Sequence, residues 1–149
     1  MGTTRLPPDF KEFLRLLNSK SAEYLVIGGY AVGYYGYARA TADLDIWISA
    51  HPDNARRVAE ALRDFGFAGP ELSPELLQQE KRVLRMGVPP FRIKILTTIS
   101  GVGFAECYGQ RTLDILDDVQ VSLISLKHLK ANKKASGRAQ DLADLEHLP

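Results

Sequence analysis

The sequence predicts an α/β (α+β) fold, a small mixed β-sheet flanked by helices, in one domain over residues 1–149. Three observations predict it. Short strand-like runs such as "EYLVIGG", "DLDIWIS" and "VQVSLIS" are separated by helical patterns. One segment, "HPDNARRVAEALRDFGF", is plainly amphipathic, with Val58, Ala61, Leu62 and Phe65 on one face. A chain of this length also buries roughly 70% of its unfolded surface, enough for one real core.

The elements follow in order. Pro7 and Pro8 precede "DFKEFLRLLNSK", where Phe10, Phe13, Leu14, Leu16 and Leu17 have helical spacing and Asp9 can cap the start. "EYLVIGG" reads as a buried strand ending at Gly28 and Gly29, and "YAVGYYG" as a short helix or turn carrying three tyrosines. "DLDIWIS" is the second strand and the amphipathic segment the next helix. "GPELSPELLQQEK" reads as loop plus a short helix. "RVLRMGVPPFRIKILTT" reads as two strands joined by a proline-containing turn. "VQVSLIS" is a further strand. The C-terminal "SLKHLKANKKASGRAQDLADLEHL" forms one or two helices, capped by Ser125 and divisible at Gly137.

Composition narrows the function classes. The formal net charge is +1, so the whole-molecule field gives no basis for a long nucleic-acid track. Cys107 is the one cysteine, which excludes an internal disulfide and favours a reducing, cytoplasmic setting; within "FAECYG" it reads as a packing residue. The start "MGTTRLPPDF" lacks an apolar signal core, and no run approaches the roughly 18 apolar residues of a membrane span. No membrane partner is expected.

The stretch "IGGYAVGYYGYARATADLDIWI" carries the chemistry. It has two adjacent glycines, Gly28 and Gly29, and two aspartates on alternate residues, Asp43 and Asp45. Alternation puts Asp43, Asp45 and Trp47 on one face and Leu44, Ile46 and Ile48 toward the core. The two carboxylates then project together, about 6.5–7 Å apart along the strand. Unpaired buried carboxylates are costly, so something must receive them. Convergent carboxylates suit Mg²⁺, a hard ion that shares its sphere with phosphates. The glycines let a backbone approach a ligand closely, and a helix start offers N–H groups to an anion. Each feature alone is ordinary: Gly-Gly as a turn, Asp-x-Asp as a solvated face.

Together, Gly-Gly, thirteen residues and Asp-x-Asp resemble the nucleotidyltransferase superfamily of the DNA polymerase β type. The fuller stretch is similar to a small prokaryotic branch akin to the minimal and the abortive-infection toxin-like nucleotidyltransferases. The similarity continues through "RIKILTTISGVGFAECY" and "LISLKHLKANKKASGRAQDLADL", covering about Tyr24 to Leu145. The resemblance implies the nucleotidyltransferase fold. It implies metal-dependent transfer of a nucleoside monophosphate from an NTP to a hydroxyl on RNA (tRNA included), protein or a small molecule. By that pattern Gly28 and Gly29 hold the triphosphate, and Asp43 and Asp45 ligate Mg²⁺ or Mn²⁺. Arg39 reaches a phosphate or makes a structural ion pair. Thr41 orients the loop or is a plain strand-flanking residue. Trp47 stacks on a base or packs.

One position departs from the pattern. The family brings a third carboxylate from a neighbouring strand, and in "RIKILT" that position is Lys94. Ile93 and Ile95 would face the core, leaving Arg92, Lys94 and Leu96 opposite. A protonated lysine repels a nearby divalent ion: two unit charges at 4 Å interact by about 4 kcal/mol at an effective dielectric of 20, and a divalent ion doubles that. Three readings stand. The protein is a catalytically silent nucleotide-binding or regulatory module, with an antitoxin partner if it is half of a toxin–antitoxin pair. Or it keeps slow transfer, with Lys94 pairing Asp43 or Asp45 or standing in for one cation. Or another acid substitutes, from Glu80, Glu106, Asp114, Asp117 and Asp118, all read as loop positions.

A second constellation lies in the C-terminal segment. Lys127, Lys130, Lys134, Arg138 and Asp141 fall on one face of a continuous helix. Alone this is a solvated charged stripe. With the resemblance, Lys130, Lys134 and Arg138 lie beside the triphosphate and Asp141 orients Arg138, while Asp144 stabilises the helix surface. His51, His128 and His147 are scattered and read as surface residues, and no serine has a nucleophile-elbow context.

Overall fold

The computed structural model describes residues 5–67, 69, 72–88 and 90–149. Among these the chain forms α1 (Pro8–Ser19), β1 (Tyr24–Ile27), α2 (Gly28–Tyr34), β2 (Asp43–Ile48), α3 (Pro52–Phe65), a 3₁₀ turn (Leu76–Gln78), β3 (Val83–Met86), β4 (Arg92–Leu96), α4 (Phe104–Gly109), β5 (Thr112–Leu116), β6 (Val119–Leu123), α5 (Leu126–Ser136) and α6 (Ala139–His147). The six strands make one sheet in the order β3-β4-β2-β1-β6-β5. β1 runs antiparallel to β2 and parallel to β6. β2 is parallel to β4, while β3–β4 and β5–β6 are antiparallel. The sheet is therefore mixed.

Helices cover both faces. Phe10, Phe13, Leu14 and Leu17 of α1 and Val58, Ala61 and Leu62 of α3 pack on Val26, Leu44, Ile46, Ile48, Ile93 and Ile95. On the other face Leu25, Ile27 and Trp47 meet Ala31 and Val32 of α2, Cys107 of α4 and Leu129 of α5. β2 and β4 lie inside the sheet with Leu44, Ile46, Ile48, Ile93 and Ile95 in the first core and Leu96 on the opposite face, which the period-2 pattern predicts.

The local signals hold with small shifts. α1 begins at Pro8, whose fixed φ and missing N–H suit a first helical position, so Asp9 lies in the first turn and Pro7 takes the cap. Ser125 caps α5, its hydroxyl accepting from the His128 backbone N–H at 3.2 Å. Gly137, at φ +67°, ends α5 and separates it from α6. Two elements have no counterpart in the sequence reading: α4 and β5. Asp114 therefore sits on a strand, and Asp117 and Asp118 make the two-residue turn to β6 with positive φ at both. No helix among the described residues is long and apolar enough to cross a membrane.

Candidate functional site

The sheet register decides what faces Asp43 and Asp45. In the parallel β2–β4 ladder Asp43 lies opposite Arg92 and Asp45 opposite Lys94. Both carboxylates thus meet a cation. Arg92 donates from Nε to Asp43 Oδ1 at 3.4 Å and from Nη2 to Oδ2 at 3.5 Å. Lys94 Nζ stands 3.7 Å from Asp45 Oδ1. That is ion-pair range and beyond a good hydrogen bond. Asp45 Oδ1 is buried and has no hydrogen-bond partner among the described residues. Burial pushes the Asp45 carboxyl above the usual carboxylate range; Lys94 pulls it partly back, and the Asp43 charge adds to the upward push.

The paired glycines now have separate reasons. Gly28 adopts φ +67°, and a Cβ there would overlap Oδ2 of Asp45. A Cβ on Gly29 would lie 2.5 Å from Oγ1 of Thr41. The start of α2 is thus pressed against β2 and the loop before it, which sets the position of Asp45.

Beside Asp45 is a cleft of about 410 Å³. Gly28, Asp45 and Lys94 line it from the sheet side; Thr98, Ile99 and Ser100 line it from the segment after β4; Asn132, Lys133, Ser136, Arg138 and Asp141 line it from the C-terminal helices. The wall after β4 is fastened to α5. Asn132 Nδ2 donates to the Ser100 carbonyl at 2.9 Å, and Gly101, at φ +79°, sits where a Cβ would overlap that of Ala135.

A buried ionic network holds the helical wall. Lys133 Nζ lies 3.1 Å from Asp141 Oδ1 and 2.9 Å from Asp144 Oδ2. Arg39 grips Asp144 with both oxygens engaged, Nε to Oδ1 at 2.9 Å and Nη2 to Oδ2 at 3.0 Å. Gln140 also donates to Asp144, and Ser136 and Arg138 donate to Asp141. Burial alone would raise both carboxyls. The bonds outweigh it and hold both below the usual range: Ser136, Arg138 and Lys133 for Asp141, Arg39, Lys133 and Gln140 for Asp144.

The cleft brings together Gly28, Asp45, Lys94, Arg138 and Asp141 from the sequence reading, with Asp141 orienting Arg138 through a 2.9 Å bond to Nε. Asp43 flanks it, held by Arg92. Others go elsewhere. Gly29 packs on Thr41, whose hydroxyl donates to the Asp43 carbonyl at 3.4 Å. Arg39 is spent on Asp144, which is fully buried rather than on a helix surface. Lys130 donates to the Pro149 carbonyl at 2.7 Å, and Lys134 is exposed and outside the cleft. The predicted stripe fails because Gly137 breaks the helix and resets its phase. Asn132, Lys133 and Ser136 were missed because they lie on a different face of α5 from Lys127, Lys130 and Lys134.

Other candidates are likewise placed. Trp47 is 2% exposed, edge-on to Phe104 at 5.1 Å, and packs. Tyr30 and Tyr34 pack against the first core, Tyr35 donates to the Ile124 carbonyl, and Tyr34 donates to Asp114. Asp117 accepts from the Leu6 N–H, and Glu106 lies 3.7 Å from His128. Glu80, Glu106, Asp114, Asp117 and Asp118 are absent from the cleft lining. His128 is buried, not superficial, bonding the Ser125 hydroxyl. His51 is exposed and accepts from the Asp53 N–H, and His147 stacks on Tyr37. Burial pushes the Cys107 thiol up to about 11, an inert packing residue. A second hollow, about 370 Å³, lies by the 3₁₀ turn, lined mainly by Leu76, Leu77, Val83, Leu84 and Ile95. It lacks the convergent charges of the first.

No protein-family model matches the chain, and no curated protein matches it.

A divalent ion can be weighed against these residues. Asp45 Oδ1 is the one feature that invites it, as a buried oxygen without a hydrogen bond. Against it, Arg92 and Lys94 already neutralise the two carboxylates from the adjacent strand. Among the described residues no group of three or more His, Cys, Asp or Glu gathers at one place. The donor set as it stands suits a cation of the protein better than Mg²⁺ or Mn²⁺.

Proposed function

We propose that the cleft takes the phosphates of a nucleoside triphosphate and that the chain is a nucleotidyltransferase-like nucleotide-binding protein. The observation that carries this reading is the convergence of Lys94, Lys133 and Arg138, from three separate elements, on a cleft whose only carboxylates among the described residues are Asp45 and Asp141. Lys94 supplies a point charge. Arg138 keeps its two terminal nitrogens available, its Nε being held by Asp141 and Ser136, and so offers a fork to a phosphate. Lys133 is committed to Asp141 and Asp144 and acts through its field and by fixing the wall.

Transfer of the nucleoside monophosphate to a hydroxyl acceptor is the second reading, favoured by the unbonded Asp45 Oδ1. Its chemistry would be in-line attack on the α-phosphate, driven by positioning and charge neutralisation. Asp43 and Asp45 would be the residues to hold a metal, after Arg92 and Lys94 had left them.

The test uses each of the four NTPs, α-labelled, with Mg²⁺ or Mn²⁺. Mixed tRNA, cell extract and the protein itself serve as acceptors. Wild type runs beside Asp45→Ala and Lys94→Asp. Binding of an NTP without label transfer is the expected result. Transfer by wild type, lost in Asp45→Ala, would establish the second reading. Failure of all four NTPs to bind would end both.

A further inference from the structure

We infer that Lys94 takes the place of a divalent cation at the cleft while Arg92 neutralises Asp43 beside it, so that the phosphate ligand is bound by the protein's own ammonium without a metal ion. This rests on the reading of the cleft as a phosphate site.

Three observations carry it. First, the acids and cations form matched pairs across the ladder. Arg92 and Lys94 are alternate residues of β4 on one face, opposite the two alternate aspartates of β2. Each acid has its own cation, at 3.4 Å and 3.7 Å. Second, the row continues outward: Arg85 of β3 lies opposite Lys94. This face therefore carries three cations against two carboxylates, a surplus that repels a metal and attracts an anion. Third, Lys94 keeps its donors. Its ammonium is within Coulombic reach of Asp45 but makes no hydrogen bond among the described residues, and the side chain is 26% exposed at the cleft. Lys133 shows the contrast: its ammonium is closed off by two carboxylates at 3.1 and 2.9 Å, with the side chain 5% exposed. A loosely paired ammonium can turn to a phosphate oxygen while Asp45 remains behind it as counter-charge.

The role of Asp45 then inverts. In a metal site its removal abolishes binding. Here its removal frees Lys94 for the ligand.

The experiment is calorimetric titration of the full chain with ATP and with inorganic pyrophosphate, in EDTA and in excess magnesium. It compares wild type, Lys94→Gln and Asp45→Asn, with thermal melts to confirm that each folds. Mn²⁺ titration followed by electron paramagnetic resonance runs in parallel without nucleotide. Wild type is expected to bind ATP at least as tightly in EDTA as in magnesium, and to leave Mn²⁺ free. Lys94→Gln should weaken ATP by about tenfold or more, the usual cost of a charged hydrogen bond, while Asp45→Asn should bind as tightly as wild type or tighter. Binding that requires magnesium and is lost in Asp45→Asn would overturn the inference and leave the phosphate reading intact. Tight Mn²⁺ binding by wild type, or full ATP affinity in Lys94→Gln, would overturn it equally. Binding of neither ATP nor pyrophosphate under any condition would remove the phosphate reading and the inference together.

Discussion

The network around Lys133 and the ladder between β2 and β4 use the same residue types and are built differently. Around Lys133 the ammonium, two carboxylates and the Arg39 guanidinium meet at 2.9 to 3.1 Å, and each carboxylate accepts several bonds. Between β2 and β4 the contacts open to 3.4 and 3.7 Å, and one oxygen of Asp45 is left without a bond. The first arrangement satisfies every charge it buries and pins the loop carrying Arg39 to α5 and α6. The second leaves a cation and an acid each half-used, beside a cleft. The closed pairs hold the fold, while the open pair at Asp45 leaves a cation and an oxygen available beside the cleft.

Removing one cation from each cluster should separate the two most strongly. Lys133→Met strands Asp141 and Asp144 in the interior and should cost about 3–5 kcal/mol, read by urea denaturation. Lys94→Met leaves Asp45 beside the cleft and water, and should cost well under half of that. Equal losses would show the two clusters to be equally structural.

Gly28→Ala comes next. The position combines φ +67° with overlap on Asp45 Oδ2, so a loss of about 2 kcal/mol or more is expected. Asp45→Gly in the same chain should restore the part due to overlap and leave the part due to backbone strain. A double-mutant cycle measures the split.

Much of this was legible beforehand. Alternation in "DLDIWI" and "RIKIL" put the aspartates and Lys94 on one face because a sheet interior enforces period two. Amphipathicity located α1 and α3. What escaped has physical causes. β5 is an edge strand with Leu113, Asp114 and Ile115 all exposed, so it carries no burial pattern; its signal was the Asp117–Asp118 turn. α4 is six residues long, too short for a helical period to show. Lys133 escaped because the charged stripe followed Lys127, Lys130 and Lys134, which share another face of α5. His128 looked superficial because its partner, Ser125, is the helix cap.

Neutralising one acid from each cluster gives a smaller, signed contrast. Asp144→Asn removes the charge that Lys133 and Arg39 share and should cost about 2–3 kcal/mol. Asp45→Asn removes a carboxylate that is already poorly satisfied, so stability should stay within about 1 kcal/mol of wild type. Loss of the fold in Asp45→Asn would mean that the 3.7 Å contact carries structural weight after all.

The smallest effect is the shape of the stability curve with pH, where the clusters act with opposite sign. Asp141 and Asp144 are held below the ordinary carboxylate range when folded. Their contribution is present above the unfolded-state pKa and is lost as pH falls through the lower folded values. Asp45 is raised when folded. The native state binds its proton more tightly, so its contribution is present at acid pH and is lost as pH rises through the raised value. Asp114 and Asp117, also lowered, share the sign of Asp141 and Asp144. Urea midpoints across acid to neutral pH should therefore fall less steeply on acidification in Asp144→Asn than in wild type. In Asp45→Asn they should fall more steeply, because a group of opposite sign is gone. A curve for Asp45→Asn that parallels wild type would place this carboxyl at its ordinary pKa, meaning that Lys94 fully compensates its burial and that the ladder is as closed as the network around Lys133.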